Sequence, residues 1–162
     1  MTRETGLPKA PIARHARAST SAAIVLLVAL STPLADGESP ERSMEIIARA
    51  FRTRSVDPLT SILPPEGKVY LSLRSVGGEA GYFGRSQVYF IFKKIFSQYE
   101  TVSFEIRSQR DDLGAASSSR QAYCTGVWTY RSQDGRGGEV QIHFVLTSTQ
   151  GRWSLVQIRE VR

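Results

Sequence analysis

The second half of the chain alternates between apolar and polar residues, and few folds accommodate this pattern. Val102, Phe104 and Ile106, for example, fall on one face of an extended segment. Segments with this alternation lie at 101–109, 121–132, 139–148 and 153–161. The pair Asp134-Gly135 separates two of them and is typical of a tight hairpin. Strands that follow one another in this way predict an antiparallel meander.

The preceding part of the chain has the spacing of helices, with apolar residues three and four positions apart. Ser39 and Pro40 are typical of a helix start. Asp57 is expected to cap a second helix, and a third helix begins near Gly84. One predicted strand, at 68–74, lies between the second and third helices. This order predicts an α+β fold in which three N-terminal helices pack on a mostly antiparallel sheet.

The segment 81–99 is rich in aromatic residues for a helix. Phe92 and Phe96 stand at helical spacing within an apolar stripe, whereas Lys93 marks the solvent side. Two interpretations are open: the rings fill the core between the helix and the sheet, or they line a binding site for a flat ligand. We favour the core and expect Phe92→Ala to lower the stability by about 3–5 kcal/mol. In the second interpretation Phe92 and Phe96 are candidate ligand-binding residues.

The first 35 residues have the layout of a secretory signal peptide. Basic residues precede an uncharged apolar segment at 21–35, and small residues stand at its end. This segment is shorter than the ~20 residues of a membrane-spanning helix, although an uncleaved N-terminal anchor is an alternative. We predict a secreted or periplasmic bacterial protein with no stable membrane span after cleavage. The predicted organisation is a signal peptide at 1–35, a short linker at 36–40 and a single domain at 41–162.

The formal net charge of +6 does not by itself indicate a nucleic-acid partner. Residues 1–35 contain four basic residues and one acidic residue, so half of the excess lies in the predicted signal peptide. In the remainder, acidic residues are interleaved with basic ones, and no nucleic-acid-binding motif accompanies them. We therefore expect no nucleic-acid partner.

Candidate catalytic and metal-binding residues are few. His143 is the one histidine after residue 35, and no second histidine or carboxylate cluster stands at ligand spacing, so we expect no metal and no cofactor. The side chain of His143 falls on the polar face of its strand, which favours a surface or dimer-face position over a catalytic base. Cys124 is the single cysteine, which excludes an intramolecular disulfide and favours a buried, inert thiol over a reactive one.

Two tyrosines are further candidates for a site. Tyr70 and Tyr123 lie in predicted strands, and a phenol on an apolar wall can orient a small ligand. Alternatively, each ring packs at the edge of the core with its hydroxyl group in water. If a pocket exists, we expect Tyr70 and Tyr123 to supply hydroxyl groups. His143 is then the candidate base, and Tyr123 is a weaker catalytic candidate.

Two segments resemble the nuclear transport factor 2-like superfamily. The segment "YFGRSQVYFIFKKIF" is similar to its third-helix signature, in which a Gly–basic pair opens the helix and bulky residues close it. Here these residues are Gly84, Arg85, Ile95 and Phe96. The terminal segment "GRWSLVQIREV" resembles the last strand of that superfamily, with Trp153 at a matching place.

The chain also resembles a small family of secreted bacterial domains of unknown function. The resemblance consists of a helix with Gln87 at its start, then "SFEI", then a Tyr-x-x-Gly strand at Tyr123 and Gly126. It extends over the whole predicted domain. That family has Ser at the helix start where this chain has Gly84, which removes a capping side chain but keeps the turn.

The resemblance implies a cone, in which long helices close the concave face of a strongly curved sheet, and it implies frequent dimers through the sheet. It does not imply an activity, because this fold hosts enzymes, ligand-binding proteins and adaptors. We predict an exported, non-enzymatic domain that acts by association, as a homodimer or with a protein partner. The alternative is a binder of a small apolar molecule in the cone, or an acid–base enzyme of the isomerase or dehydratase type. The candidate dimer-face residues are Thr125, Val127, Val145 and Val156.

Overall fold

The computed structural model describes residues 39–112 and 120–161, and within 108–112 it describes the backbone alone. The predicted signal peptide and most of the predicted linker lie outside the described residues. Among the described helices, none combines the length and the apolar character needed to cross a membrane. The elements are α1 (Pro40–Thr53), α2 (Asp57–Ser61), β1 (Val69–Ser72), a 3₁₀ turn (Arg74–Val76), β2 (Gly81–Phe83), α3 (Arg85–Gln98), β3 (Tyr99–Asp112), β4 (Arg120–Ser132), β5 (Gly137–Thr149) and β6 (Arg152–Val161).

The six strands form one sheet in the order β2-β1-β6-β5-β4-β3. Strand β1 pairs with β6 in parallel, and the other described pairs are antiparallel. The predicted α+β class and the mostly antiparallel sheet are therefore confirmed. The sheet is open, with β2 and β3 at its edges, and the strong curvature expected from the resemblance is not confirmed.

The N-terminal part differs from the prediction in two respects. The predicted strand between the second and third helices is present as β1, but helix α2 has only five residues. The second strand in this part, β2, was not predicted. It has three residues, too few for alternation to reveal it, and it exists because it pairs with β1 at the sheet edge.

The helix starts follow capping chemistry, with one correction. The Ser39 hydroxyl accepts the Arg42 backbone N–H at 3.4 Å, as predicted for the start of α1. Asp57 does not cap α2: Val56 occupies the cap position, without a side-chain hydrogen bond, and Asp57 is the first helical residue. There its carboxylate complements the helix dipole instead of accepting a capping bond.

Helix α3 begins after Gly84, as predicted. The Gln87 side chain accepts the Gly84 backbone N–H at 2.9 Å, so one capping bond forms although glycine has no side chain to supply a second. Phe92 and Phe96 are buried, whereas Phe90 is 66% exposed. The aromatic residues therefore divide between the core and the surface, and the predicted core role of Phe92 and Phe96 is confirmed.

The core is built around the ring of Phe51, on α1. Five aromatic rings lie with their centroids 4.5–5.9 Å from it: Phe92, Phe96, Phe104, Trp128 and Phe144. Offset and edge-to-face contacts at these distances add to the stabilisation from apolar burial. Thr101 ties this cluster to α1, because its hydroxyl accepts the Trp128 Nε1–H at 3.0 Å and donates to the Phe51 carbonyl at 2.8 Å.

A bulge in β3 overturns one predicted core residue. Val102 was expected to share the apolar face with Phe104 and Ile106, but it is 58% exposed. The pairing of β3 with β4 shifts between Thr101 and Ser103, which leaves Val102 unpaired. A bulge inserts one residue into a strand and reverses the alternation beyond it, and here the hydrogen-bonded Thr101 takes the inner position.

The predicted hairpin at Asp134-Gly135 is confirmed. Gly135 has a φ of +83°, and its N–H donates to the Ser132 carbonyl at 2.9 Å. This conformation strains residues with a side chain but not glycine. The turn joins β4 to β5 and places an ion pair between Arg136 and Asp134 at 3.2 Å beside the sheet end.

Candidate functional site

The interior between the helices and the sheet is packed with side chains. Among the described residues, the buried polar ones are Ser43 and Ser148, and neither is ionisable. Phe92 and Phe96 are 0% and 4% exposed, and both contact the ring of Phe51. Among the described residues no carboxylate or imidazole is fully buried in this interior. The nearest carboxylate on this side of the sheet is that of Glu160, which is half-buried and accepts the Ser75 backbone N–H at 2.9 Å.

Cys124 faces this interior from β4. Its side chain is 1% exposed, and burial raises the pKa of its thiol to about 12. The thiolate is the nucleophilic form of cysteine, so this thiol is protonated and unreactive at neutral pH. The prediction of a buried cysteine is confirmed.

Tyr70, Tyr123 and His143 lie on the outer face of the sheet, away from the helices. Successive side chains of a strand point to opposite faces, and the sequence neighbours of these three residues are buried in the core. Those neighbours are Val69, Leu71, Ala122, Cys124, Ile142 and Phe144. The predicted ligand-binding residues are thus divided, with Tyr70 and Tyr123 outside and Phe92 and Phe96 inside. A ligand-binding role for them stays a prediction.

An uncharged row of side chains crosses the outer face over five strands. Tyr82 of β2 pairs with Tyr70 of β1, which pairs with Gln157 of β6. Gln157 pairs with Val145 of β5, and Val145 pairs with Tyr123 of β4. The ring centroids of Tyr70 and Tyr82 are 5.2 Å apart, and Tyr82 is 68% exposed. We call these five residues the tyrosine row.

Two members of the tyrosine row, Tyr82 and Gln157, were not among the predicted site residues. Tyr82 lies in β2, whose three residues carry no readable pattern. Gln157 joins the row through the parallel pairing of β6 with β1, and no local sequence signal reports which distant strands become neighbours. The alternation in β6 could still have placed Gln157 on an outer face.

The four predicted dimer-face residues have different surroundings. Val145 belongs to the tyrosine row, and Thr125 stands in the next row, opposite His143. Val127 and Val145 are only 3% and 9% exposed, so neighbouring side chains already cover them in a single chain. Val156 lies at a shift in register between β5 and β6 and is half-buried. The valines therefore add little exposed apolar area to this face.

His143 stacks on Tyr123, with ring centroids 5.9 Å apart and planes at 5°. Its Nδ1 atom is buried and has no hydrogen-bond partner. Burial lowers the pKa of His143, and the charge of Arg159 lowers it further. The imidazole is therefore mainly neutral at pH 7, and no carboxylate of the described residues orients it as in a catalytic dyad. In the described residues, no group of three His, Cys, Asp or Glu side chains could hold a metal ion.

We expect acidification from about pH 7.5 to about pH 5 to destabilise the protein, partly through His143. Its folded-state pKa is lower than that of the unfolded chain, about 6.5. Stability from the neutral imidazole is therefore present above the unfolded pKa and is lost as the pH falls through the folded pKa. Urea unfolding of the wild type and of His143→Gln should show a smaller pH-dependent change for the variant. Equal changes in both proteins would contradict this assignment.

No protein-family model matches the sequence, and no curated protein matches it. Solved structures do match by fold. A DUF4783 family protein from Bacteroides uniformis aligns with a TM-score of 0.57 at 16% identity, over 73% of this chain and 94% of that chain. A putative dehydratase of the NTF2-like family from Streptomyces avermitilis aligns with a TM-score of 0.58 at 17% identity, over 77% and 94%.

A third solved structure is a putative calcium/calmodulin dependent protein kinase II association domain from Xanthomonas campestris. It aligns with a TM-score of 0.52 at 14% identity, over 77% of this chain and 89% of that chain. At such identities the likeness shows the fold alone. The chain has a nuclear transport factor 2-like fold, which confirms the resemblance found in the third helix and the last strand, and its fold neighbours include domains of unknown function.

Proposed function

We propose that this protein is an exported, non-enzymatic domain that acts by association, as a homodimer formed through the tyrosine row. One observation carries the proposal: three tyrosines stand in one uncharged row across five strands, and Tyr82 at its end is 68% exposed. Tyrosine is enriched at protein interfaces, because it buries a large ring while its hydroxyl group keeps a hydrogen bond.

The chemistry of the row favours a second copy of the same chain as its partner. A two-fold interface places one patch against itself, so a charge near the axis meets the same charge of the other copy. The tyrosine row contains no charged side chain from Tyr82 to Tyr123. A two-fold axis close to Gln157, in the middle of the row, would therefore bring no like charges of the row itself together. Arg159, two residues along β6 on the same face, lies in the next row beside His143.

The packed interior supports the non-enzymatic part of the proposal. Phe51 and the rings around it occupy the space in which a small apolar molecule would bind under the alternative. One fold neighbour is described as a putative dehydratase, which favours that alternative, and another is described as an association domain. Export rests on the apolar segment 21–35, and N-terminal sequencing of protein recovered from the periplasm would test it.

We expect the wild-type protein to be a dimer at about 100 μM, a concentration at which even micromolar affinities saturate. Gln157→Arg should shift it to the monomer, because two positive charges then face each other near the axis. Gln98→Arg is the matched control, since it places the same substitution at the end of α3 on the helix side. Native mass spectrometry and light scattering report the subunit number.

Two outcomes would contradict the association proposal. A wild-type protein that stays monomeric at this concentration removes the homodimer. A dimer that Gln157→Arg leaves intact, while Gln98→Arg dissociates it, places the interface on the helix side. Circular dichroism spectra of both variants should match that of the wild type, which separates a lost interface from a lost fold. The melting temperature does not serve this purpose, because association itself stabilises the folded chain.

A further inference from the structure

Helix α3 has exposed aromatic surface outside the core. This surface borders the first of two adjoining cavities on the helix side of the molecule, which we together call the trough. Phe90 is 66% exposed, and Phe83 and Ile91 beside it are half-buried. These side chains line a cavity of about 330 Å³ between α3 and the segment that precedes β2. An exposed phenylalanine at the edge of such a cavity gains stabilisation when a ligand covers it.

A second cavity, of about 540 Å³, adjoins the first at Gln98, which lines both. Its walls come from the end of α3, the start of β3 and the β4–β5 hairpin. Tyr99 and Tyr130 supply its aromatic surface, with ring centroids 5.0 Å apart. Most of its other lining groups are hydroxyl and amide side chains. The two cavities together form the trough. The end beside Phe90 is apolar, and the end beside Tyr99 and Tyr130 combines aromatic rings with polar groups.

The polar end of the trough has donors and acceptors that make no hydrogen bond within the described part of the protein. Within the described residues, the hydroxyl groups of Tyr99 and Tyr130 and the amide of Gln98 have no hydrogen-bond partner. Gln133 uses its amide N–H to bond the Ser97 carbonyl at 3.0 Å, which leaves its amide oxygen as an acceptor. Burial raises the pKa of Tyr130, so its phenol is a neutral donor.

The strand beneath Tyr130 is shaped to receive its ring. Tyr130 pairs with Gly138 across β4 and β5. A Cβ atom at position 138 would lie 2.6 Å from the phenol oxygen, closer than any real contact. Gly137, next to it, lines the cavity. The missing side chain of Gly138 therefore lets the phenol lie close against the sheet at the polar end of the trough.

The charges along the trough cancel. Lys94 and Glu79 line the apolar end, and Asp134 and Arg136 line the polar end, where they pair with each other at 3.2 Å. Neither sign is in excess among these lining residues. At the polar end Asp134 and Arg136 pair with each other and the charge of Glu160 acts on Tyr130, so an anionic head group there would be desolvated without a partner. Charge complementarity therefore favours an uncharged occupant.

We propose that the trough binds an uncharged amphiphile, with an alkyl or aryl tail against Phe90 and Ile91 and a hydroxylated head group between Tyr99 and Tyr130. Hydroxyl groups suit this head site, because each can both donate to and accept from the free phenols and amides. Aromatic side chains with a few convergent polar groups are the usual lining of small-molecule sites. The trough lies on the helix side, so this proposal does not depend on association through the tyrosine row.

The test is an NMR titration of the full chain with n-octyl β-D-glucoside, kept below its critical micelle concentration. We expect backbone amide shifts along α3 from Phe90 to Gln98 and at Tyr99 and Tyr130. Phe90→Ser should weaken binding by about tenfold, because it removes the tail contact. Tyr130→Phe and Gln98→Ala should each weaken it by about threefold, as expected for one lost hydrogen bond.

Two controls separate a built site from adsorption of a detergent. Tyr82→Ser removes an equally exposed ring on the outer face and should leave binding unchanged. Sodium octanoate carries a similar tail with an anionic head and should bind more weakly than the glucoside. The proposal is overturned if no shifts occur, if Tyr82→Ser weakens binding as much as Phe90→Ser, or if Tyr130→Phe and Gln98→Ala both leave it unchanged. Equal affinity for octanoate would overturn it as well.

Discussion

Replacing Phe51 with Ala is expected to lower the free energy of unfolding by about 3–5 kcal/mol. The Phe51 side chain is fully buried, and its ring contacts five other aromatic rings from α3, β3, β4 and β5. Removing it leaves a cavity that these rings can fill only by leaving their preferred arrangement. Phe92→Ala removes one of the rings and should fall in the same range.

Urea unfolding of Phe51→Ala would measure this loss, and Phe90→Ala is the matched control. Phe90 is 66% exposed on α3, so its replacement should change the free energy of unfolding by less than about 0.5 kcal/mol. If Phe51→Ala does not fold, Phe51→Leu allows the measurement with a smaller cavity. A loss below about 1 kcal/mol for Phe51→Ala would mean that the core is not organised around this ring.

Gly126→Ala is expected to lower the free energy of unfolding by about 1–3 kcal/mol, through overpacking. Gly126 is buried on β4, and a Cβ atom there would lie 2.4 Å from Cζ of Phe104. The Phe104 ring is 3% exposed and stacks on Phe51 at 4.5 Å. It therefore cannot move aside without disturbing the centre of the core.

Gly137→Ala is the control for Gly126→Ala, because a Cβ atom at position 137 would meet nothing closer than the Tyr130 carbonyl oxygen, at 3.7 Å. Its effect should be below about 0.5 kcal/mol. Combining Gly126→Ala with Phe104→Leu should cost less than the sum of the two single substitutions, since the smaller side chain relieves the clash. Additive losses would show that Gly126 is needed for another reason.

Much of the fold is encoded in patterns long enough to read locally. The alternation around β4 and β5 and the turn signal at Asp134-Gly135 predict the hairpin that the structure contains. Ser39 and Pro40 predict the start of α1. The α+β class follows from the order of these elements. Each of these features depends on neighbours within a few residues, and the sequence contains that information.

The errors concern places where tertiary contacts override a local pattern. Val102 has the right residue type and spacing for the core, yet the bulge moves it outward because Thr101 binds Trp128 and the Phe51 carbonyl. Strand β2 is too short for periodicity, and it forms only because β1 offers it an edge. Asp57 has capping chemistry, but the chain enters α2 one residue earlier.

The candidate surfaces were less predictable than the fold. The sequence identified Tyr70, Tyr123 and His143 as polar or aromatic candidates for a site. It did not indicate that Tyr70 and Tyr123 share one row with Tyr82. The trough combines Phe90 and Tyr130, which are 40 positions apart in the printed sequence. Only the folded chain brings them to two adjoining cavities, which share Gln98.

The sequence by itself determined the type of most elements and the burial of Phe92 and Phe96, because periodicity acts over short distances along the chain. Its single cysteine also excluded an intramolecular disulfide. Only the tertiary structure decided which strands became neighbours. The parallel pairing of β1 with β6 joins segments more than 80 residues apart, and it completes the tyrosine row. Such pairings arise from the burial of the whole core rather than from a local signal, so the surfaces built across them become visible only in the folded molecule.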